Sequence, residues 1–288
     1  MDAVTALERL GGVATAAELE ALSSRRRVVK AVAAGAVVRL HRGRYALPGV
    51  EGARADAIAL SGVVSHGSAA LLWGWPVKWP PNLSWVTVPR GRHKRHYRDR
   101  RARVVIADLG AEEVVDGVTS PLRTVLDCAR QLPFDEALCV ADSARRSGLV
   151  SRSELLAAAA AARGPGSASL RRVAEVATPL AANPFESTLR AICLEFPALV
   201  VEPQGEVRAW GRVWRPDLVE RSRMLAIEAE SWEFHAVKDA FARDCVRYTS
   251  LTLAGWRVIR FTWEQVMHHP EFVRQVLTEL ATWPAVAV

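Results

Sequence analysis

The sequence predicts a multidomain α/β protein, and three observations support that fold class. The chain has 288 residues, of which 50% are hydrophobic, and this is enough for two or three domains with cores of their own. Residues 1–50 show three short helical segments followed by a hairpin, whereas residues 183–288 alternate between helical and strand patterns. Residues 164–182, which open with glycine and serine, indicate a linker and a connecting helix after a middle domain at 51–163.

The first fifty residues predict a winged helix. The expected elements are helices at 4–10, at 16–22 and after a cap at Ser23 or Ser24, then strands at 37–40 and 45–47. Three helices and a hairpin are typical of this fold, whose third helix and wing tip meet DNA. Basic residues occupy both places and are the predicted DNA contacts: Arg25, Arg26, Arg27, Lys30, Arg42 and Arg44.

These N-terminal elements resemble the N-terminal domain of AbiEi-type antitoxins. The resemblance implies a DNA-binding module. Some winged helices bind only protein, so a protein-interaction role is the alternative. The clustering of the basic residues on one expected edge favours DNA.

The middle part, residues 51–163, predicts an α/β domain. Its expected elements are a helix beginning at Ser65, strands at 84–88 and 103–107, and helices at 121–132 and 134–146. AbiEi-like proteins carry a comparable middle domain. The adjacent pair Ser65-His66 is expected to cap a helix rather than to form a nucleophile and its base. The run 90–103 holds eight Lys and Arg residues and is interpreted as a solvated hairpin tip or a second phosphate contact.

The C-terminal part predicts the element order α-β-β-β-α-β-α. Asn183, Pro184 and Glu186 provide a cap, a first-turn proline and an acid three residues after the cap, which together indicate a helix start. The elements that follow are expected as strands at 206–210, 213–219 and 224–230, a helix at 236–254, a strand at 256–262 and a last helix.

Acidic residues collect on two neighbouring strands of this part. If a turn at 220–223 pairs Val219 with Met224, then Asp217, Glu228 and Glu230 share one face of the sheet. The apolar Leu218, Leu225 and Ile227 share the other face. Diagonal neighbours lie roughly 7–8 Å apart, so Asp217 and Glu228 can bind one cation between them. Pro216 marks an edge, a bulge or a strand end just before Asp217.

The motifs together resemble the PD-(D/E)XK nuclease superfamily, and more narrowly the branch of very short patch repair endonucleases and DUF559 proteins. The resemblance covers about residues 183–283 and includes Pro216-Asp217, the acid-x-acid Glu228-Ala229-Glu230, and the run 255–262. It implies that Glu186 is the helix glutamate, that Asp217 and Glu228 bind Mg²⁺ or Mn²⁺, and that the Ala229 carbonyl lies beside the metal. It also implies that His235 lies near the attacking water.

Glu230 stands at the position of the superfamily's lysine and is the fifth candidate catalytic residue. The resemblance implies a DNA-binding, metal-dependent endodeoxyribonuclease that hydrolyses phosphodiester bonds in DNA repair or in defence against foreign DNA. The intact acids favour this enzyme. The loss of the lysine favours the alternative, a catalytically inactive DNA-binding regulator or type IV antitoxin-like protein.

Several of these residues have a plainer interpretation. Glu186 serves equally well as half of a capping box, and His235 as a surface residue at a helix start. Arg243 and Arg247 are spaced i, i+4 and form either a phosphate clamp or a solvated helix face. Arg260, on the last strand, is the remaining candidate DNA contact.

Charge is divided unevenly between the two parts of the chain. Residues 1–182 hold 26 Lys/Arg and 17 Asp/Glu, a net of +9, whereas residues 183–288 hold 12 and 14, a net of −2. We therefore expect the first part to bind DNA and the last part to perform the metal chemistry. The four cysteines show no metal-ligand or disulfide spacing, and no signal peptide or membrane segment is evident, so a cytoplasmic protein is expected.

Overall fold

The computed structural model describes residues 1–41, 43–91, 102–230 and 238–286. The chain forms two compact units, Met1–Pro179 and Leu180–Val288, in a mixed α/β architecture with several sheets. In the described ranges, no helix combines the length and the apolar character that crossing a bilayer requires. All four cysteines lie in those ranges as free thiols.

The first unit begins with three helices and a small sheet. Their bounds are α1 Ala3–Arg9, β1 Val13–Thr15, α2 Ala16–Leu22, α3 Arg25–Ala33, β2 Val38–His41 and β3 Arg44–Ala46. The strands pair antiparallel in the order β1-β3-β2, so β1 adds a strand to the expected hairpin. Thr15 caps α2 in a capping box with Glu18, and Ser24, rather than Ser23, caps α3. Leu7, Leu19 and Val28 join the helices in one core.

A five-stranded sheet and further helices complete the first unit. The elements are α4 Gly49–Leu60, β4 Val63–Val64, α5 His66–Leu72, β5 Ser84–Val88, β6 Ala102–Ile106, β7 Val114–Val115, β8 Val118–Thr119, α6 Pro121–Gln131, α7 Phe134–Arg146, α8 Arg152–Ala161 and α9 Ser167–Val176. The strand order is β6-β5-β4-β8-β7.

Two expectations for this unit change. Strands β5 and β6, which flank the basic run, pair in parallel and so do not form a hairpin with each other. Of that run, residues 92–101 lie outside the described residues. Of residues 164–169, expected as a linker, the last three form the start of α9, which packs on α6, α7 and α8 within the first unit. The predicted boundaries at 50/51 and 163/164 stay predictions.

The second unit carries a four-stranded sheet and a separate hairpin. Its elements are α10 Pro184–Cys193, β9 Val201–Pro203, β10 Val207–Ala209, β11 Arg212–Trp214, β12 Leu218–Glu220, β13 Leu225–Glu230, α11 Lys238–Leu253, β14 Arg257–Thr262, α12 Trp263–Met267 and α13 Pro270–Thr282. The sheet order is β14-β13-β12-β9, with β13 and β14 parallel and the other pairs antiparallel. Strands β10 and β11 pair only with each other among the described residues.

The predicted strand 213–219 is two strands that belong to different sheets. The chain breaks at Arg215-Pro216, where proline cannot donate a ladder hydrogen bond. The predicted register was also wrong by two residues, because Val219 pairs with Ala226 and the turn extends to Met224. A shift of two preserves the faces of the sheet, since side chains alternate with a period of two.

Both faces of this sheet are buried. Leu218, Leu225 and Ile227 pack in a core with α10, α12 and α13, as the alternation of side chains predicted. Val219 and Ala226 pack on the opposite face against α11 and the β10–β11 hairpin. Burial of one such leucine or isoleucine side chain stabilises the fold by about 1.5–3 kcal/mol. The strands that carry the acidic residues are therefore firmly held from both sides.

Candidate functional site

Asp217 and Glu228 lie against each other at the edge where β12 begins. Leu218 pairs with Ile227, so Asp217 stands opposite Glu228 one position further along. The backbone N–H of Asp217 donates to Glu228 Oε2 at 3.4 Å, and the N–H of Ala229 donates to Asp217 Oδ2 at 2.8 Å. The ladder therefore holds the two predicted metal ligands side by side, closer than the diagonal arrangement expected from the sequence.

The Glu228 side chain is buried and that of Asp217 is partly buried, and this changes the acidity of both carboxyl groups. Burial, reinforced by the neighbouring Asp217 charge, raises the pKa of Glu228, only 2% exposed, to about 8. Burial likewise raises the pKa of Asp217, although hydrogen bonds from Ala229 and Gln204 oppose that rise. Glu228 Oε1 has no hydrogen-bond partner among the described residues. Because that oxygen has only an ion-pair contact, with Arg247 Nη1, the two neighbouring carboxyl groups form a place for a proton or a cation.

Gln204 links this pair to Glu186. Its Nε2 donates to Asp217 Oδ1 at 3.1 Å and to Glu186 Oε2 at 3.4 Å, and its backbone N–H donates to the Asp217 carbonyl at 3.0 Å. Glu186 also accepts hydrogen bonds from the Ala182 N–H at 2.8 Å and from Asn183 Nδ2 at 2.9 Å. The two interpretations of Glu186 are thus compatible, because this carboxylate supports the helix start and lies one amide away from Asp217.

Sequence reasoning missed Gln204. Gln204 has a φ of 53° and lies just before Gly205 in the turn that follows β9. Strand β9 was not predicted. A polar Gln-Gly pair between two strand patterns was the available signal. Without β9, nothing in the sequence placed that turn beside Asp217.

Arg247, a predicted DNA contact on α11, lies instead against the acidic pair. Its Nη1 is 3.3 Å from Glu228 Oε1, and its side chain is 24% exposed. Its Nη2 contacts Asp244 at 3.4 Å and donates to the Tyr248 hydroxyl at 2.9 Å. Arg243, one turn earlier on α11, is exposed. The two arginines therefore do not form one clamp on a solvated face.

Glu230 is engaged by two donors at the end of β13. The Tyr248 hydroxyl donates to its Oε2 at 2.6 Å, and Arg260 Nε donates to the same oxygen at 2.9 Å. The Arg260 guanidinium also stacks on the Tyr248 ring at 4.4 Å. Burial and the hydrogen bond to Glu230 raise the pKa of the Tyr248 hydroxyl. Arg260 thus offsets the charge of Glu230, whereas the charges of Asp217 and Glu230 still raise the pKa of Glu228.

Two predicted site residues, His235 and Arg42, lie outside the described residues. Within the described ranges, no group of three or more His, Cys, Asp or Glu side chains is arranged to hold a metal. A cation at this site would therefore combine the two carboxylates with backbone carbonyl oxygens and water, a set that suits Mg²⁺. The Ala229 carbonyl is the nearest candidate by sequence.

The predicted DNA contacts of the first unit divide into two groups. Arg25, Arg26 and Lys30 are exposed on α3, and the exposed Arg27 donates from Nη1 to the Met1 carbonyl at 2.9 Å. Arg44 donates from Nη1 to the Gly74 carbonyl at 2.8 Å and is partly buried. The role of Arg44 at the start of β3 is therefore structural in this conformation.

The pair Ser65-His66 does not behave as a helix cap. Ser65 occupies the N-cap position of α5 but makes no capping hydrogen bond. Its hydroxyl lies 2.9 Å from His66 Nδ1, because His66 has a φ of 49° and turns back toward it. His66 stacks on Trp85 with ring centroids 4.4 Å apart. Both residues are fully buried, so a substrate cannot reach them.

Comparison with known proteins gives limited guidance. No family model matches the chain. It is 32% identical over 154 residues to two proteins of Mycobacterium tuberculosis, "Uncharacterized protein MT2308" from strain CDC 1551 / Oshkosh and "Uncharacterized protein Rv2248" from strain ATCC 25618 / H37Rv. Each match covers 53% of this chain and 57% of the relative. Neither name states an activity, so the chemistry of the site rests on its geometry.

Proposed function

We propose that this chain is a DNA-binding, metal-dependent endodeoxyribonuclease. The observation that carries the proposal is the Asp217–Glu228 pair, whose carboxyl groups lie side by side and both have raised pKa values. Two such groups that share one guanidinium, that of Arg247, cost stability unless a proton or a cation compensates the second charge. That cost favours a functional role over a purely structural one.

The donor set fits a hard divalent cation. Asp217, Glu228 and the Ala229 carbonyl would hold Mg²⁺ or Mn²⁺, which both prefer oxygen ligands. When bound, the ion supplies a water of lowered pKa and neutralises charge on the scissile phosphate.

The chain's own residues position the reacting groups around that ion. Gln204 holds the Asp217 carboxylate through one hydrogen bond from Nε2 and the Asp217 backbone carbonyl through another from its N–H, and it ties the carboxylate to Glu186. Arg247 brings a positive charge to the side of Glu228, where the related nucleases have a lysine at the Glu230 position. With a cation bound, the Arg247 guanidinium would add its positive charge beside a scissile phosphate. His235 remains the proposed residue beside the attacking water.

DNA would be held chiefly by the first unit. Arg25 and Arg26 are exposed at the start of α3, and Lys30 is exposed in its last turn; the third helix is the one that meets DNA in winged-helix proteins. The net charge of +9 on residues 1–182 supplies the electrostatic attraction. We propose DNA repair or defence against foreign DNA as the setting.

A second function is favoured by a specific observation. Arg247 and Arg260 form ion pairs with Glu228 and Glu230, an arrangement that suits acids kept only for structure. In that case the chain is a DNA-binding regulator or an antitoxin-like protein.

A nicking assay on supercoiled plasmid separates the two functions. The full chain is incubated with Mg²⁺, with Mn²⁺ and with a chelator, alongside Asp217→Asn and Glu228→Gln. Glu271→Gln, which changes an exposed acid of α13, is the matched control. Cleavage that needs the metal and both acids, but not Glu271, supports the nuclease. DNA binding without cleavage under every metal condition supports the regulator.

A further inference from the structure

The hairpin of β10 and β11 carries a tryptophan at its tip. Trp210 and Gly211 form the two-residue turn between Ala209 and Arg212, with φ values of 52° and 67°. Positive φ at both positions defines a type I′ turn, which favours Asn-Gly. A bulky side chain is strained there, and the indole is 72% exposed, so burial does not compensate for the strain. Strain without a packing benefit points to a function.

Positive charge surrounds this tip. Arg208 stands opposite the exposed Val213, and Arg212 is exposed directly after the turn. Among the residues that the structure describes, neither Arg208 nor Arg212 pairs with a carboxylate, whereas Arg215 pairs with Glu206. The hairpin is therefore a local basic and aromatic surface in a unit whose net charge is negative.

The hairpin is held rigidly from its inner side. Val207 and Ala209 are buried in a core with Val219, Ala226 and Leu251. The outer side chains thus project from a fixed support, and little conformational freedom is lost when they bind a partner.

The chain also limits how far the tip can lie from the acidic pair. Trp210 precedes Asp217 by seven residues, and an extended chain spans about 3.4 Å per residue, so the two lie at most about 24 Å apart. Base pairs of duplex DNA rise about 3.4 Å each, so that reach equals roughly seven base pairs.

We propose that this hairpin is a second DNA contact, in which the Trp210 indole stacks on an unstacked base while Arg208 and Arg212 bind the flanking phosphates. Aromatic and guanidinium groups on one exposed ribbon match the stacking surface and the negative charge of DNA. This inference rests on the proposed function, because the DNA that the hairpin binds is the substrate of the acidic site. The contact falls within roughly seven base pairs of the cleaved bond.

Binding of the full chain to labelled single-stranded and duplex DNA tests the proposal, with a chelator present to prevent cleavage. Trp210→Asn should weaken binding by about 5- to 150-fold, the equivalent of one lost base stack. The loss of affinity should be larger for single-stranded than for duplex DNA, because in a single strand no base has to be unstacked first. Trp210→Phe should retain most of the affinity.

Arg208→Ala should lower the salt slope of binding by about 0.7–0.9. The matched controls are Val200→Asn, equally exposed at 76%, and Arg274→Ala on α13.

A loss of binding by Trp210→Asn should not come from a folding defect, because asparagine suits a type I′ turn and the variant should keep or raise the Tm. Parent-like binding by Trp210→Asn and Arg208→Ala, no weaker than the two controls, overturns the hairpin contact even if the chain cleaves DNA. Weakened binding by both variants supports it even if no metal cleaves, so the proposed activity and this contact fail separately. Absence of any DNA binding by the full chain overturns both.

Discussion

Arg247 Nη1 lies 3.3 Å from Glu228 Oε1, which places a guanidinium beside the most deeply buried carboxylate of the site. Burial lowers the pKa of Arg247, but the charges of Glu228 and Asp244 and the contact with Tyr248 outweigh this effect and raise it overall, so the group stays cationic. In the nucleases that the sequence resembles, a lysine stands at the Glu230 position. Under the proposed function, Arg247 on α11 would supply that positive charge instead.

Arg247→Met should lower the cleavage rate strongly. In the absence of metal it should also lower the free energy of unfolding of the second unit. Removing the guanidinium leaves Glu228 without its counter-charge, and an unsatisfied buried polar group costs about 1–3 kcal/mol. Arg247→Lys should recover part of both properties, since it keeps the charge but not the fork of donors. Cleavage rates and denaturant unfolding curves measure the two effects.

A double-mutant cycle identifies the partner of Arg247. Arg247→Met combined with Glu228→Gln should recover much of the lost stability, because the carboxylate no longer needs compensation. Losses that simply add in the double variant would show that Arg247 acts through packing on Tyr248, not through Glu228.

Asp217→Asn and Glu228→Gln should each abolish metal-dependent cleavage while the chain stays folded. Both changes keep the shape of the side chain and remove one charged ligand, whereas the apolar face formed by Leu218, Leu225 and Ile227 is untouched. Nicking rates and circular dichroism are the measurements. A variant that folds and cleaves like the parent would remove Asp217 and Glu228 from the site.

The faces of the acidic sheet could be predicted from the sequence, but its exact pairing could not. Alternation alone places Asp217 and Glu228 on one side and Leu218, Leu225 and Ile227 on the other, and the structure confirms both sets. The register depends on where the turn closes. Met224 takes a φ of 52° and belongs to that turn, which an apolar methionine does not signal.

Contacts between distant segments were beyond the reach of local patterns. Gln204 meets Asp217 only because β9 pairs with β12, and β9 is three residues long with a proline. Arg247 meets Glu228 only because α11 packs on the sheet, and helical spacing with Arg243 suggested an outward clamp instead. Such residues are found once the topology is known.

DNA affinity should depend mainly on the start of α3. Changing Arg25, Arg26 and Arg27 together to alanine should weaken binding and reduce the salt slope by up to about 0.9 for each lost phosphate contact. Cleavage at saturating protein and low salt should change little, because these residues belong to a different unit from the acidic pair. A titration across salt concentrations measures the slope.

Arg44→Ala provides the contrast within the same unit. Its guanidinium donates to the Gly74 carbonyl, so its loss should lower the Tm rather than the salt slope.

An unchanged salt slope in the triple variant of Arg25, Arg26 and Arg27 would assign α3 to a protein partner and favour the antitoxin-like alternative.

His66 should make the first unit sensitive to acid. Burial, aided by the charges of Arg123 and Arg103, lowers the pKa of His66 from 6.5 to about 3. The unfolded chain therefore binds a proton below about pH 6.5 that the folded chain rejects until about pH 3. This group's stabilisation is complete above pH 6.5 and is lost as the pH falls through that window, by at most about 1.4 kcal/mol per pH unit.

His66→Asn removes the titration and tolerates the φ of 49°. Hydrogen exchange of β4 and β5 from pH 7 to about pH 4, with exchange rates corrected for pH, should show a steeper loss of protection in the parent than in His66→Asn. Equal slopes for the two proteins would mean that His66 gains a proton without unfolding its surroundings.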